Sequence, residues 1–570
     1  MKTNPRFLAL VETKGYLSSL DSKNLLAKHH GDAFAVFLYL AEGGAAPAGE
    51  LEKLWGDSLG YAYVDLDKTL FQQDVVQKLP LQVAQKHKMI PLYQLGPAVT
   101  LAMVDPADAQ AAKEAEKHLG AAASPVFSMP RMIQDAIEIQ YQTTTALTGF
   151  IAKIAESSLL RPSTEITAHQ LKELAEDQSV VELTKGLMLL AVRERASDIH
   201  IEPEENRIRI RFRVDGVLQE RMKIEKILHR PLVSRLKILA DVDIIERRRP
   251  QDGRITLALS NKSLDFRFST VPTIYGEKIV LRVLGQSQNR DAPDLADIDL
   301  SKSCLEKVRR VTSSPNGVFF VTGPTGSGKT TTLFSVLKHL NTPGINIMTV
   351  EDPVEYRLPG LNQVQVNPDI GLDFAKALRA FLRQDPNVIL IGEIRDMETA
   401  KIASQAALTG HLVLATMHTN NALQAVTRLV EIGVEPFLVA PSIIGVMAQR
   451  LVRRLCDYCK ERYILGQDEK EVFFRGNLTR EVAFYRPRGC SKCDGLGYRG
   501  RLPIHEVFIM NDRIRSMVAR GASILDIQEE ARTSGFKTMR YDGLKKVLRG
   551  LTSLTEVERA TAAEEESPGF

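Results

Sequence analysis

The stretch Gly323-Pro324-Thr325-Gly326-Ser327-Gly328-Lys329-Thr330 decides the fold of the chain's largest domain. It matches the phosphate-loop pattern G-x-x-x-x-G-K-[ST] at every fixed position. A short apolar, β-rich run over 318–322 precedes it, and apolar residues at helical spacing follow it. The pattern therefore predicts a strand, a glycine loop and a helix in succession. Because backbone N–H groups and the helix dipole converge there, it also predicts a polyphosphate site.

Two side chains of this stretch are expected to contact the ligand directly. Lys329 is expected to reach the terminal phosphates of the bound polyphosphate, and Thr330 to hold Mg²⁺. The alternative, a chance glycine turn, is disfavoured because the complete pattern stands between a strand and a helix. The residues expected to bind the nucleotide are Gly323, Pro324, Thr325, Gly326, Ser327, Gly328, Lys329, Thr330 and Thr331.

Length and composition limit the classes of protein that fit. A chain of 570 residues with 44% apolar and 25% charged residues predicts several globular domains. The charges nearly balance, with 74 basic and 70 acidic residues, which argues against a protein that mainly coats nucleic acid. The N-terminus lacks the apolar core of a signal peptide, and no apolar run reaches the ~18 residues that span a bilayer. We therefore expect a cytoplasmic protein that reaches the membrane only through partners.

Apolar periodicities and turn residues predict a multidomain α/β protein. The predicted segments are a helical region that is either small or loosely packed (1–60), an α/β docking domain (61–142), a partly helical linker (143–175), an α/β domain that supplies arginines (176–288), a nucleotide-binding core (289–455), a tetracysteine module (456–500) and a helical C-terminal subdomain with an acidic tail (501–570).

The nucleotide-binding core is expected to contain a mostly parallel sheet with helices on both faces. Its apolar strand-like runs lie at 318–322, 345–350, 388–392 and 412–416, with helical patterns between them. Ligands of such sheets bind at the carboxyl ends of the strands. Polar residues that directly follow these strands are therefore candidates for chemistry.

Two carboxylates follow these strands, and two histidines flank one of them. Glu393 follows an apolar run, as a Walker-B acid does, and is expected to serve Mg²⁺ through water. Glu355 is our choice for the residue that orients the attacking water. His411 and His418 flank one strand, where a histidine can sense the γ-phosphate. For each of these residues a structural interpretation stays open. Glu351 or Glu355 would then be a carboxylate of a helix or turn without a catalytic role, and His411 would be an ordinary histidine of the fold.

Arginines mark the domain before the core. The run Arg207–Val214 alternates arginine with apolar residues, which predicts a half-buried strand with an arginine face. That face is either a solvated surface or an anion-facing wall. Arg267 and Arg282 are expected to point outward from two further strands.

Four of the five cysteines form two Cys-x-x-Cys pairs. The pairs are Cys456 with Cys459 and Cys490 with Cys493. Four thiolates predict a tetrahedral, structural Zn²⁺ site with no open coordination position, whereas the alternative is a set of free thiols. Cys304 stands alone and is expected to be a packing residue.

Together these motifs resemble those of the secretion ATPases that power type II secretion and type IV pilus assembly, strongly over 176–560 and more weakly over 61–142. The resemblance implies a RecA-like P-loop core, a preceding PAS-like α/β domain, a zinc module and a helical C-terminus. It implies a homo-hexamer that turns ATP hydrolysis into motion against an inner-membrane platform protein. The N-terminal region is similar to the docking domain that binds the cytoplasmic part of an inner-membrane linker protein.

The resemblance also assigns roles to residues. It implies that Glu355 is the catalytic glutamate, that Glu393 is the Walker-B acid, and that Arg267 and Arg282 approach the nucleotide. The stretch 408–438 looks closer to the type II secretion branch, with the pilus-extension branch as the alternative. Residues 1–60 lack the Arg-Leu-Gly motif of cyclic-dinucleotide-binding relatives, so that activity is not expected. A nucleic-acid translocase and a non-catalytic ATP switch are the remaining rivals.

Overall fold

A computed structural model of the chain describes all residues except 1–3, 44, 48, 70, 142–143, 157–167, 260, 262, 285–291, 468, 471–482, 494 and 562–570. The chain divides into two compact units, Met1–Leu284 and Gly285–Phe570. Among the described residues, every helix lacks the length and apolar character needed to cross a membrane.

The first unit is built from twelve α-helices, one short 3-10 helix (Lys226–Leu228) and nine strands within its described residues. They are α1 (Pro5–Thr13), α2 (Ser19–Lys28), α3 (Ala33–Glu42), α4 (Glu50–Leu59), α5 (Gln73–Val76), α6 (Leu81–His87), β1 (Met89–Leu95), β2 (Ala98–Met103), α7 (Ala109–Leu119), β3 (Ala122–Phe127), α8 (Pro130–Gln140), α9 (Thr144–Glu156), α10 (Ala168–Glu176), α11 (Gln178–Arg193), β4 (Ala196–Pro203), β5 (Arg207–Val214), β6 (Val217–Glu225), α12 (His229–Leu239), β7 (Gln251–Ala258), β8 (Ser263–Thr273) and β9 (Gly276–Leu284).

The N-terminal region has a well-packed aromatic core, so of the two alternatives, a small or a loosely packed region, the loosely packed one is wrong. Phe7, Phe37 and Trp55 are fully buried, and the rings of Phe37 and Trp55 stack with centroids 4.8 Å apart. The Gly/Ala/Pro-rich stretch that prompted the prediction joins α3 to α4, so it is a loop between helices. Its composition says nothing about the helices that it connects.

The following α/β region contains the three-stranded sheet β1-β2-β3, with β1 and β2 antiparallel and β2 and β3 parallel. The predicted linker then contributes helices to the next core. Helix α9 buries Leu147 and Ile154 in the same apolar cluster as α11. This part of the predicted linker is therefore folded, whereas residues 157–167 lie outside the described residues.

The arginine-bearing domain is a six-stranded antiparallel sheet with the order β6-β5-β4-β9-β8-β7. Ile210, Phe212 and Phe266 point from one face into an apolar core shared with α11 and α12. Because side chains alternate along a strand, the arginines between these residues stand on the opposite face. The predicted half-buried strand is confirmed.

The second unit contains the phosphate loop. Its described elements are α13 (Lys302–Thr312), β10 (Gly317–Thr322), α14 (Lys329–Leu340), β11 (Ile347–Glu351), β12 (Asn362–Gln365), α15 (Phe374–Phe381), β13 (Val388–Ile391), α16 (Met397–Leu408), β14 (Leu412–Met417), α17 (Ala422–Glu431), α18 (Pro436–Ser442), β15 (Ile443–Leu455), β16 (Glu461–Tyr463), β17 (Phe484–Arg486), β18 (Tyr498–Ile509), α19 (Asp512–Ala519), α20 (Ile524–Thr533), α21 (Met539–Leu548) and α22 (Leu554–Thr561).

The core sheet has the order β12-β11-β13-β14-β10-β15-β18, and its neighbouring strands are parallel except at β15–β18. Alternate residues of β10 belong to different apolar clusters. Val318 and Phe320 pack into one cluster, and Phe319 and Val321 pack into the other. The sheet is therefore covered on both sides, as the sequence predicts.

Residues 501–509 were predicted to be helical, and this prediction is wrong. They belong to β18, which pairs with β15 from Gly445–Ile509 to Leu455–Tyr498. Consecutive residues of this strand are buried on both of its faces, and they include His505 and Glu506. The sequence therefore shows neither the alternation of a half-buried strand nor an unbroken apolar run. The predicted helices that follow are present as α20 and α21.

Candidate nucleotide site and tetracysteine cluster

The phosphate loop connects the end of β10 to the first residue of α14, as predicted. Gly328 caps the helix with φ 88°, a left-handed conformation that favours glycine. At Gly323 a Cβ atom would lie only 2.4 Å from the backbone oxygen of Gln449. Glycine is therefore required at one position by the turn and at the other by the close approach of β15.

Lys329 lies over this loop. Its Nζ donates hydrogen bonds to the backbone oxygens of Gly323 at 2.8 Å and Pro324 at 3.2 Å. Burial lowers the pKa of the Lys329 ammonium, while the nearby carboxylates of Glu393 and Glu355 act in the opposite direction. The lysine charge thus stands where a bound polyphosphate would meet it, close to both predicted carboxylates.

Glu393 follows β13 and is held by two cationic or ionisable side chains. Its Oε2 accepts a hydrogen bond from Arg395 Nε at 2.7 Å, and its Oε1 lies 2.8 Å from His418 Nε2. The hydrogen bond to Glu393 raises the pKa of Arg395. The structure therefore brings Glu393 and His418 together at the carboxyl ends of β13 and β14, and it adds Arg395, which sequence reasoning did not single out.

Glu351 and Glu355 occupy different environments. Glu351 is buried, and its Oε1 accepts hydrogen bonds from Thr349 Oγ1 at 2.6 Å and Gln363 Nε2 at 3.2 Å. Burial raises the pKa of Glu351. Glu355 is exposed near Lys329. The geometry favours a structural role for Glu351 and leaves Glu355 free to meet water and ligand.

His411 stands apart from this site. It precedes β14, whereas His418 follows it, so the six-residue strand separates them by about 20 Å. Its Nδ1 is 2.9 Å from the backbone oxygen of Ala406, and its own carbonyl accepts from the N–H of Gly317. The structure does not bring His411 to the phosphate loop, and we do not carry it into the proposed mechanism.

The arginine run on β5 pairs with acids of its own domain. The pairs are Arg207–Glu204 at 2.6 Å, Arg209–Glu202 at 3.2 Å, Arg211–Glu202 at 2.7 Å and Arg213–Asp198 at 3.3 Å. Burial alone would raise the pKa of Glu202, but hydrogen bonds from Arg211 and Lys278 lower it to about 2. Of the two alternatives, a paired and solvated face fits better than an anion-facing wall.

Three arginines stand side by side across the last strands of the same sheet. Arg254 on β7 lies opposite Arg267 on β8, which lies opposite Arg282 on β9. Arg254 pairs with Asp265 at 2.9 Å, and Arg282 with Asp198 at 3.0 Å. Arg267 is exposed and has no ion-pair partner among the described residues. Because like charges directly opposite each other repel, this arginine row favours an added anion.

The four paired cysteines converge as predicted. The Sγ atoms all lie within 4.8 Å of one another, with Cys456–Cys490 at 3.9 Å and Cys459–Cys493 at 3.7 Å. A tetrahedron with Zn–S bonds of about 2.3 Å has edges of about 3.8 Å, so the donor set fits Zn²⁺. Backbone N–H groups of Cys490 and Gly497 also donate to Cys493 Sγ at 3.2 Å and 3.1 Å.

The phosphate loop, the lysine above it and the acid–histidine pair share one edge of a parallel sheet, an arrangement suited to nucleotide polyphosphate and its hydrolysis. This places the chain in the class of P-loop ATPases. Residues 173–559 match the model of the type II/IV secretion system protein family, and residues 59–147 match the MshEN domain. The chain therefore belongs to the type II/IV secretion system protein family, and the resemblance drawn from its motifs is confirmed.

Relatives of two kinds are similar to this chain. The type IV pilus assembly ATPase PilB of Myxococcus xanthus is 40% identical, over 92% of this chain and 93% of that protein. The type II secretion system protein E of Xanthomonas campestris is 44% identical, over 85% of each. PilB of Thermus thermophilus is 42% identical over 88% of this chain, which covers only 56% of that longer protein.

Proposed function

We propose that this chain is a hexameric motor ATPase that assembles a pseudopilus for type II protein secretion. The observation that carries the proposal is the meeting of Lys329, Glu393 and His418 at the phosphate loop, in a chain whose relatives are named for secretion and pilus assembly. Type IV pilus extension is the second candidate. The match to PilB of Myxococcus xanthus over nearly the full length of both chains favours it.

The site residues divide the work of hydrolysis. Lys329 and the N–H groups of 323–330 hold the phosphates, while Glu355 orients the attacking water and takes its proton. Thr330 and Glu393 would hold Mg²⁺, which supplies charge neutralisation when bound. His418, whose Nε2 lies 2.8 Å from Glu393 Oε1, responds to the γ-phosphate. Exposed Glu355 and half-buried Glu393 suit these separate roles.

Arg267 and Arg282 complete the proposed machinery. Charge that develops on the γ-phosphoryl oxygens must be neutralised, and an arginine can contribute about 10³-fold or more in rate there. Their support is the arginine row, in which Arg267 is exposed and lacks an ion-pair partner among the described residues. If these arginines meet the nucleotide in only one domain arrangement, hydrolysis is coupled to domain motion.

The tetracysteine cluster is proposed to hold a structural Zn²⁺. Its four thiolates leave no open position for catalysis. One zinc per chain is expected by elemental analysis, and the paired change Cys456→Ser with Cys459→Ser should remove it and lower the thermal midpoint. Cys304→Ser is the matched control, because Cys304 stands outside the cluster. Full zinc content in the paired variant would contradict the assignment.

We further propose an inner-membrane platform protein and the cytoplasmic domain of an inner-membrane linker as partners, with no nucleic acid bound. The chain would then sit at the inner membrane through these partners. Full-length protein carrying an affinity tag, crosslinked in cells, should recover one or both of them. Recovery of pilus platform components instead would move the assignment to the pilus branch.

The test of function replaces the chromosomal gene with a Lys329→Ala allele in the organism of origin. Loss of secreted protein with normal surface pili supports type II secretion, whereas loss of pili with normal secretion supports the second candidate. Lys338→Ala is the matched control, because this lysine lies on α14 away from the loop and pairs with Asp294 at 2.8 Å. A Lys329→Ala strain that secretes and makes pili normally would reject both.

A further inference from the structure

A buried amide on β15 braces the phosphate loop from behind. Gln449 is only 2% exposed, and β10–β15 pairing places it just beyond the end of β10, where the loop begins. Its Nε2 donates to the backbone oxygen of Ser327 at 2.7 Å. Its Oε1 accepts from Thr332 Oγ1 at 2.7 Å. One side chain thus ties the loop to the first turn of α14.

The surroundings of Gln449 leave little freedom for the loop. A Cβ atom at Gly323 would lie 2.4 Å from the Gln449 backbone oxygen, and one at Gly328 would lie 2.8 Å from Nε2. The loop therefore rests directly against this residue at both of its ends. Since the direction of the Ser327 carbonyl fixes the plane of the next peptide, the brace also fixes the N–H of Gly328.

We propose that Gln449 is a positioning residue for ATP binding: it holds the peptide planes of the phosphate loop so that their N–H groups converge on the phosphates. The inference rests on the proposed ATPase function. Donating to a carbonyl and accepting from a hydroxyl at once requires an amide at this length. A glutamate can accept but cannot donate, and a methionine has no donor and only a weakly accepting sulfur.

The experiment compares ATP hydrolysis by full-length parent, Gln449→Met and Gln449→Glu. Gln449→Met keeps the side-chain volume but loses both bonds, so KM for ATP should rise about tenfold. Gln449→Glu should show at least the same rise, because it places a carboxylate against the Ser327 carbonyl. Thermal midpoints and zinc content are measured in parallel, and all rates are taken well below the lowest midpoint.

Thr332→Val removes only one of the two bonds and serves as the milder variant if the Gln449 variants do not fold. It should raise KM less than Gln449→Met does, and adding it to Gln449→Met should change KM little further, because both act through one brace. A structural role alone would lower the thermal midpoint and leave KM unchanged. The proposal is overturned if KM stays within twofold of the parent value in Thr332→Val and in every Gln449 variant that folds. An inactive parent would instead reject the ATPase function.

Discussion

The two ends of strand β14 carry one histidine each, and the fold gives them opposite surroundings. At the carboxyl end, His418 is 2.8 Å from Glu393 and lies at the edge of the sheet that carries the phosphate loop. At the amino end, His411 turns its ring to a backbone oxygen of α16. The comparison shows that two residues at opposite ends of one strand do not share a functional site, because parallel sheets bind ligands at the carboxyl ends of their strands.

The largest effect at the carboxyl end is expected from Glu355→Gln. Without a carboxylate to take the proton of water, turnover should fall about 100-fold or more, while nucleotide affinity stays near that of the parent. Phosphate release and binding of a fluorescent nucleotide measure the two properties separately. Lys329→Ala is the contrasting variant, since it should lose affinity as well. Unchanged turnover in Glu355→Gln would reject the assigned role.

His418→Ala tests the same edge with a smaller expected effect. The variant removes the imidazole that lies 2.8 Å from Glu393 Oε1 and leaves the Arg395–Glu393 pair in place. We expect kcat to fall about tenfold, which is the size of one polar contact to a carboxylate. Steady-state kinetics at saturating ATP and Mg²⁺ provide the measurement. A kcat equal to that of the parent would show that His418 has no role in ATP hydrolysis.

Glu351 predicts a dependence of stability on pH. Since burial raises its pKa in the folded state, its stabilising contribution is full below the unfolded pKa and is lost as pH rises through the folded value. Glu351→Gln lacks this loss. The thermal midpoint of the parent should therefore fall relative to the variant between acid and neutral pH. Parallel melting curves across that range would contradict the interpretation.

The smallest effect is expected at the amino end of β14. His411→Ala removes a ring that contacts Ala406 and Thr409 but neither the phosphate loop nor Glu393. Turnover and KM should stay within about twofold of the parent, with at most a small loss of stability. The same assays as for His418→Ala make the two histidines directly comparable. A tenfold loss in His411→Ala would show that the amino end takes part in function after all.

Much of the core follows from local sequence. The phosphate loop, the parallel strands and the cysteine pairs carry their chemistry in short motifs, so their positions are predictable. Strand β18 was missed because residues buried on both faces of a sheet show no alternation. The packing of 1–60 was missed because the apolar face of each helix meets partners that are distant in sequence, such as Phe7 on Trp55.

The contacts between motifs in the site could not be predicted from the sequence. Nothing in the sequence around Gln449 marks it as a partner of Ser327, since the two are far apart in the chain and meet only through β10–β15 pairing. The arginine alternatives on β5 were likewise decided by acids on a neighbouring strand. Pairing across strands decides which polar groups are satisfied, and that information is not local.

The arginine row gives the first unit a sensitivity to its solvent. The row consists of three cross-strand neighbours, Arg254, Arg267 and Arg282, and fewer acidic side chains than arginines surround it. Added electrolyte shortens the reach of their mutual repulsion, to about 10 Å at 0.1 M ionic strength. The purified protein should therefore be more stable at moderate ionic strength than at low ionic strength. Oxyanions such as sulfate should stabilise it more than chloride does.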